Sequence, residues 1–224
     1  MIDDADVVTP AATPAVRDAR RAWILGGSLL IASATLGLIA QGSWTFAFPA
    51  VGVAIDLVWG AALLVFALGI RGSGSVVGRQ SLGIAALVVA AAAPLASRLV
   101  WWVLPLQTWD ATTATSVGTL VMVLSPVALI VATVVIGRAG AVPDRLRWVP
   151  LIVVAVAVGA QVLAQVFVVA TSGSLVQPDL VAVVFGSAAI GTLGVLLLGI
   201  LAIVFAPRES PRPAAPTQVY PPAS

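Results

Sequence analysis

The sequence predicts an all-α integral membrane protein, a six-transmembrane-helix bundle with both termini in the cytoplasm. Three observations carry this expectation. Of 224 residues, 60% are hydrophobic and only 9% charged, against about 25% charged in a soluble domain. The apolar residues gather into six segments, each long enough to cross a hydrocarbon core, which takes roughly 20 helical residues. Ten of the eleven Arg residues fall on one side of a six-span arrangement, the side that the positive-inside rule makes cytoplasmic.

The elements follow in chain order. Residues 1–20, MIDDADVVTPAATPAVRDAR, are polar with little to bury, and are expected to form a disordered cytoplasmic arm. The membrane domain, 21–206, begins with a span over 22–41, preceded by Arg17, Arg20 and Arg21. A cleavable signal peptide is the competing reading of this span. The apolar run is long for a signal core, and more spans follow. The second span, 48–70, is followed by Arg71 and Arg79 in the Gly-rich stretch GIRGSGSVVG. That stretch lacks the Gly-Lys-Ser/Thr ending of a phosphate loop and reads as a flexible cytoplasmic turn.

The third span, 81–103, contains Pro94, and the fourth, 113–137, contains Pro126. Each Pro should bend its helix. The second basic connection carries Arg138, Arg145 and Arg147. The fifth span covers 148–170 and the sixth 180–206. Arg208 and Arg212 then open a Pro-rich tail, 207–224, expected to be disordered. The remaining connections hold Asp110 and Asp179 but almost no Arg. Trp23, Trp44, Trp101, Trp102, Trp109 and Trp148 lie near span ends, where interfacial anchors sit.

A strand reading fails on LIVVAVAVGAQVLAQVFVVA at 151–170. Membrane strands run to about 10 alternating residues, and this stretch is apolar without alternation. The β-branched residues lower helix propensity in water. In lipid every backbone group must still be paired, which keeps the segment helical.

Several function classes drop out on composition. There is no Cys, no His and no Lys. That removes thiolate chemistry, ordinary zinc sites and imidazole acid–base catalysis, and with them the usual triads and the Ser-Lys dyad. No catalytic set, cofactor site or metal site is expected. The scattered Arg residues do not form a nucleic-acid footprint. The Arg-only basic set reads as a high-GC coding bias, and the location expected is a bacterial cytoplasmic (inner) membrane. The expected partners are membrane lipids, and other membrane subunits are a second class.

The informative residues are the polar exceptions inside the spans. Asp56 stands alone in VGVAIDLVWG, and Arg98 is the one Arg that breaks the charge rule. Asp56 lies roughly 10 Å into its helix and Arg98 roughly 7–8 Å from the outer end of the next, by helix rise. Antiparallel neighbours thus bring them to similar depth, where pairing offsets part of the cost of each charge. Gly52 and Gly60 flank Asp56 by one turn, and Trp59 is near enough to cover the pair. The competing expectation is that Arg98 snorkels outward to Asp110 or a lipid phosphate.

Gln161 and Gln165 share a face of the fifth span, being four apart. They either pair between helices or line a polar cavity with Trp59, Ser116 and Thr119. Glycines of the sixth span, Gly186, Gly191, Gly194 and Gly199, allow close helix packing. Two functions are compatible with this pattern. One is a small permease or transporter component with a polar site in the outer half. The other is a non-catalytic accessory or scaffold subunit of a membrane complex. Size and topology match small six-span components of bacterial transport systems, an analogy at fold level only.

Overall fold

The computed structural model describes residues 14–42, 49–70, 75–78, 80–103, 111–139, 146–171 and 177–206. Six helices account for nearly all of them: α1 Pro14–Gly42, α2 Pro49–Leu68, α3 Ser81–Val103, α4 Ala111–Ala139, α5 Val149–Ala170 and α6 Gln177–Val204. Five are long and apolar enough to cross a membrane, and α4 carries a shorter apolar run, Val123–Ala139. The α4 helix opens with ATTATS, whose four hydroxyls make that end more polar.

The helix bounds follow the apolar runs, with one correction of note. Helix α1 starts at Pro14, inside the segment expected to be disordered through residue 20. Proline is preorganised for the first helical position. PAVRDARRA then supplies good helix formers, and Asp18 lies 3.8 Å from Arg21 one turn on. The sequence expectations for residues 1–13, for the 207–224 tail and for Trp44, Trp109 and Asp110 fall outside the described residues.

Each helix packs on the next in sequence, and α6 packs back on α1. The six therefore form a closed ring of antiparallel neighbours around a central lumen. The α6–α1 closure is a backbone contact. A Cβ on Gly27 would lie 2.7 Å from the Gly199 carbonyl oxygen, and one on Gly199 would lie 2.8 Å from that of Gly27. The glycines of α6 expected to allow close packing have different neighbours. Gly199 faces α1, Gly194 meets Val153 of α5, and Gly186 and Gly191 have nothing within 4 Å.

The outer surface of the ring is apolar, as a lipid-facing surface must be. Ile152, Val156, Leu163 and Val166 on α5 are each more than half exposed, and Leu193, Leu197 and Ile200 line the outside of α6. Polar groups inside the helices satisfy themselves locally. Thr35 donates to the Ile31 carbonyl at 2.8 Å, Thr133 to Leu129 at 2.9 Å and Thr192 to Ala188 at 2.9 Å.

At the end of the ring that carries the Arg-rich connections, the α2–α3 turn is a plug. Val76 N–H donates to the Phe66 carbonyl at 3.0 Å, and the Ser75 hydroxyl donates to Ala67 at 2.7 Å. These bonds fold 75–78 under the bundle and bury Val76 and Val77. Gly78, at φ +59, permits the return into α3. The expectation of a flexible turn is corrected for these residues: two valines anchor it. Trp23 is corrected as well. It sits in the core, edge-on to Phe66 with centroids 6.4 Å apart, and is not an interfacial anchor. Trp148 is partly exposed beside the Arg147 guanidinium, 5.5 Å from its ring, at the basic end.

Candidate functional site

The lumen contains a cavity of about 310 Å³, walled by residues of all six helices. It lies toward the basic end. Trp23 and Leu30 of α1, Trp59 and Leu63 of α2, Leu87 of α3 and Val154 of α5 are on its wall, with Val76 of the plug. Thr133 supplies a hydroxyl, but that group is already bonded to its own helix. The site is therefore an apolar container. Its volume is about twice that of an engineered ~150 Å³ cavity that stays dry and binds benzene, which leaves space on the order of twelve carbon atoms.

Helix phase connects this cavity to the polar exceptions. Residues three, four and seven apart share a helix face. Asp56 precedes Trp59 by three and Leu63 by seven, so it stands on the same stripe of α2, about two turns from Leu63 and away from the basic end. Arg98 is eleven residues beyond Leu87, about three turns along the same stripe of α3. Gln161 follows Ala157 and Val154 of the wall by four and seven, and Gln165 stands one turn further. The lumen thus has two chemically distinct parts, an apolar cavity near the basic end and polar side chains toward the far end.

Arg98 Nε donates to Asp56 Oδ2 across the α2–α3 seam. The Asp56 side chain is 14% exposed and that of Arg98 39%. The guanidinium lies over Gly52, one turn before Asp56, where an added Cβ would fall 2.6 Å from Nη2. Gly60, one turn after Asp56, meets the Ala91 carbonyl of α3 and sets the helix separation there. Asp56 thus fixes the Nε edge of the guanidinium and Gly52 provides its seat.

Gln161 is nine residues from the lipid-facing Ile152, about 2.5 turns, so it points to the opposite side, into the lumen. It is nonetheless exposed. Val184, nine residues from the lipid-facing Leu193, points inward and is 52% exposed. Gly37, two turns beyond the wall residue Leu30, has nothing within 4 Å of its Cβ direction. Among the described residues, nothing packs closely over these three positions at the far end of the ring. Ser187 of α6 donates to the Val184 carbonyl at 2.9 Å and lies 3.4 Å from Gln161 Oε1, too far for a strong hydroxyl bond.

The remaining candidates sit elsewhere. Ser116 lies about three turns from exposed Val127 on one stripe of α4 with Leu120 and Val123, on the outer surface. Thr119, also exposed, shares a face with Val123. Neither is on the cavity wall; of the residues expected to line a cavity, Trp59 is on it. Ser116 and Thr119 follow the outward phase of α4, which the sequence conceals because the lumen face of α4 is nearly as apolar, with Thr133 on the cavity wall. Among the described residues, no group of three or more acidic side chains could hold a metal ion. The fold and site define a polytopic helical membrane protein with a central apolar cavity. No protein-family model matches the chain, and neither the curated proteins nor the solved structures yield a match.

Proposed function

We propose that this chain is a small, non-enzymatic permease or transporter component for an amphiphile. It would lie in a bacterial cytoplasmic membrane with six spans and both termini in the cytoplasm. The single observation that carries the reading is the stacking of an apolar cavity of about 310 Å³ beneath polar side chains on the same helix stripes. An empty apolar cavity forfeits dispersion contacts along its lining. The surrounding membrane is a reservoir of apolar chains that supply them. The polar part of the lumen then faces the head of such a molecule. A site for a wholly polar solute is disfavoured, because the cavity wall offers almost nothing to hydrogen-bond.

The test is native mass spectrometry of the protein released from nanodiscs, with dodecanol added as a probe. One retained dodecanol per chain is expected. Ala157→Phe, which projects a ring from the cavity wall, should abolish retention without loss of folded protein. Equal retention by the filled variant would refute the reading. The accessory-subunit alternative draws on Gly159 and Gly186, which have no neighbours within 4 Å and leave surface for another helix. A stoichiometric partner cross-linked through positions 159 and 186, with no retained amphiphile, would favour it.

A further inference from the structure

We infer that the Nη edge of Arg98 is an oxoanion subsite, the head-group end of the pocket for an amphiphile. The inference rests on the function proposed above and specifies the ligand's head. A guanidinium has five N–H donors in a rigid fork. Among the described residues Arg98 spends one of them, on Asp56 through Nε. The remaining four, on Nη1 and Nη2, have no partner there. No buried side-chain nitrogen or oxygen among the described residues lacks a partner, and none of the described residues takes up the Nη donors. The 39% exposure of the Arg98 side chain agrees with this. The Nη pair is suited to bidentate capture of a carboxylate or phosphate.

Three features make the group a built subsite and not a stray charge. Asp56 orients the Nε edge and offsets the cost of a cation at this depth. Gly52 seats the guanidinium, since any Cβ there would overlap it. Trp59, one turn from Asp56, lies on the cavity wall and joins head to tail. The physics of transfer places selectivity at this end. A tail moving from lipid into an apolar cavity gains nothing from the hydrophobic effect, because both surroundings are apolar. Discrimination must come from the head.

The experiment compares dodecanoate with dodecanol by native mass spectrometry, using full-length protein released from nanodiscs of mixed phosphatidylcholine and phosphatidylglycerol. Wild type should retain an oxoanion-bearing molecule, with dodecanoate preferred over dodecanol by about ten-fold, the effect of a charged hydrogen bond. If bilayer phospholipid is retained in place of dodecanoate, the phosphate is the oxoanion, and the Arg98 variant should release it. Arg98→Gln should remove the preference and leave dodecanol retention intact. The double variant Asp56→Asn with Arg98→Gln keeps the test readable if the single variant misfolds. Gly52→Ala should lower the preference with Arg98 still present. Loss of dodecanol and dodecanoate alike in wild type, with no phospholipid retained either, would defeat the proposed function. A full preference surviving Arg98→Gln would overturn the subsite alone.

Discussion

Replacing Asp56 with Asn should destabilise the protein, and neutralising Arg98 in the same chain should restore part of the loss. Asparagine can still accept the Nε hydrogen bond but leaves the guanidinium without a counter-charge. Removing one member of a fully buried pair costs about 3–5 kcal/mol, whereas an exposed pair is worth about 0–1 kcal/mol. Polar contacts between membrane helices average about 0.6 kcal/mol and reach about 1.7. With side chains 14% and 39% exposed, this pair lies between those limits. We therefore expect a loss of about 1.5 kcal/mol for Asp56→Asn, roughly a ten-fold shift in the folding equilibrium. Arg98→Gln should lose a similar amount. The double variant should fall about 2 kcal/mol short of the sum, which is the coupling energy, and so lose about 1 kcal/mol, less than either single variant. Reversible unfolding in mixed micelles, with denaturing detergent as titrant, measures all four corners of the cycle. Losses that add to within about 0.5 kcal/mol would show that the two residues do not act as a pair.

Three further outcomes are expected. Reporter fusions after Gly42, Gln107 and Gly173 should report the outside, and fusions after Ser75, Ala141 and the tail the inside; one reproducible inversion removes the six-span topology. The chain has no native Cys, so single-Cys probes are direct: Gln161→Cys should react quickly with a water-soluble thiol reagent, and Ser116→Cys with a lipid-phase one. The reverse pattern would contradict the assigned helix phases. Gly27→Ala and Gly199→Ala should each cost about 1–3 kcal/mol by overpacking, because each Cβ would meet backbone. Gly159→Ala, facing open space, should cost nothing in the same unfolding assay.

The sequence made the helices legible because lipid imposes one strong rule, that a long apolar segment must pair its own backbone. It also placed Asp56 and Arg98 at matching depth on adjacent helices, from chain position alone. Rotation about each helix axis was much less visible. Where both faces of a helix are apolar, no amphipathic stripe marks the inward side. Trp23 illustrates this. Its position near a span end indicates an anchor, but its phase turns it onto Phe66. Ser116 and Thr119 are the converse, polar residues on a surface that the sequence could not orient. The plug was hidden for another reason: the glycines of GIRGSGSVVG dominate its appearance, yet Val76 and Val77 decide where it goes. Ring closure between α1 and α6 joins the most distant spans, and only the glycines at 27 and 199 hint at it.

The polar exceptions carry the phase information that the apolar residues lack. Charges and amides within a membrane helix face the protein interior. Stepping from Asp56 by three and seven residues gives Trp59 and Leu63. Stepping back from Gln161 by four and seven gives Ala157 and Val154. Stepping back eleven from Arg98 gives Leu87. All five lie on the cavity wall, although none of the three polar residues does. The few residues that cost most to place in lipid thus index the inward face of their helices, and the apolar cavity lies where those stripes continue toward the basic end. The dependence runs in both directions. A ring this apolar has little else to fix its rotational register, so moving Asp56 by one residue, as in Asp56→Ile with Leu57→Asp, should disturb the cavity as well as the pair. Dodecanol retention falling together with folded stability in that variant is the expected result. Retention unchanged would mean that packing at Gly60 and Ala91 alone sets the register of α2.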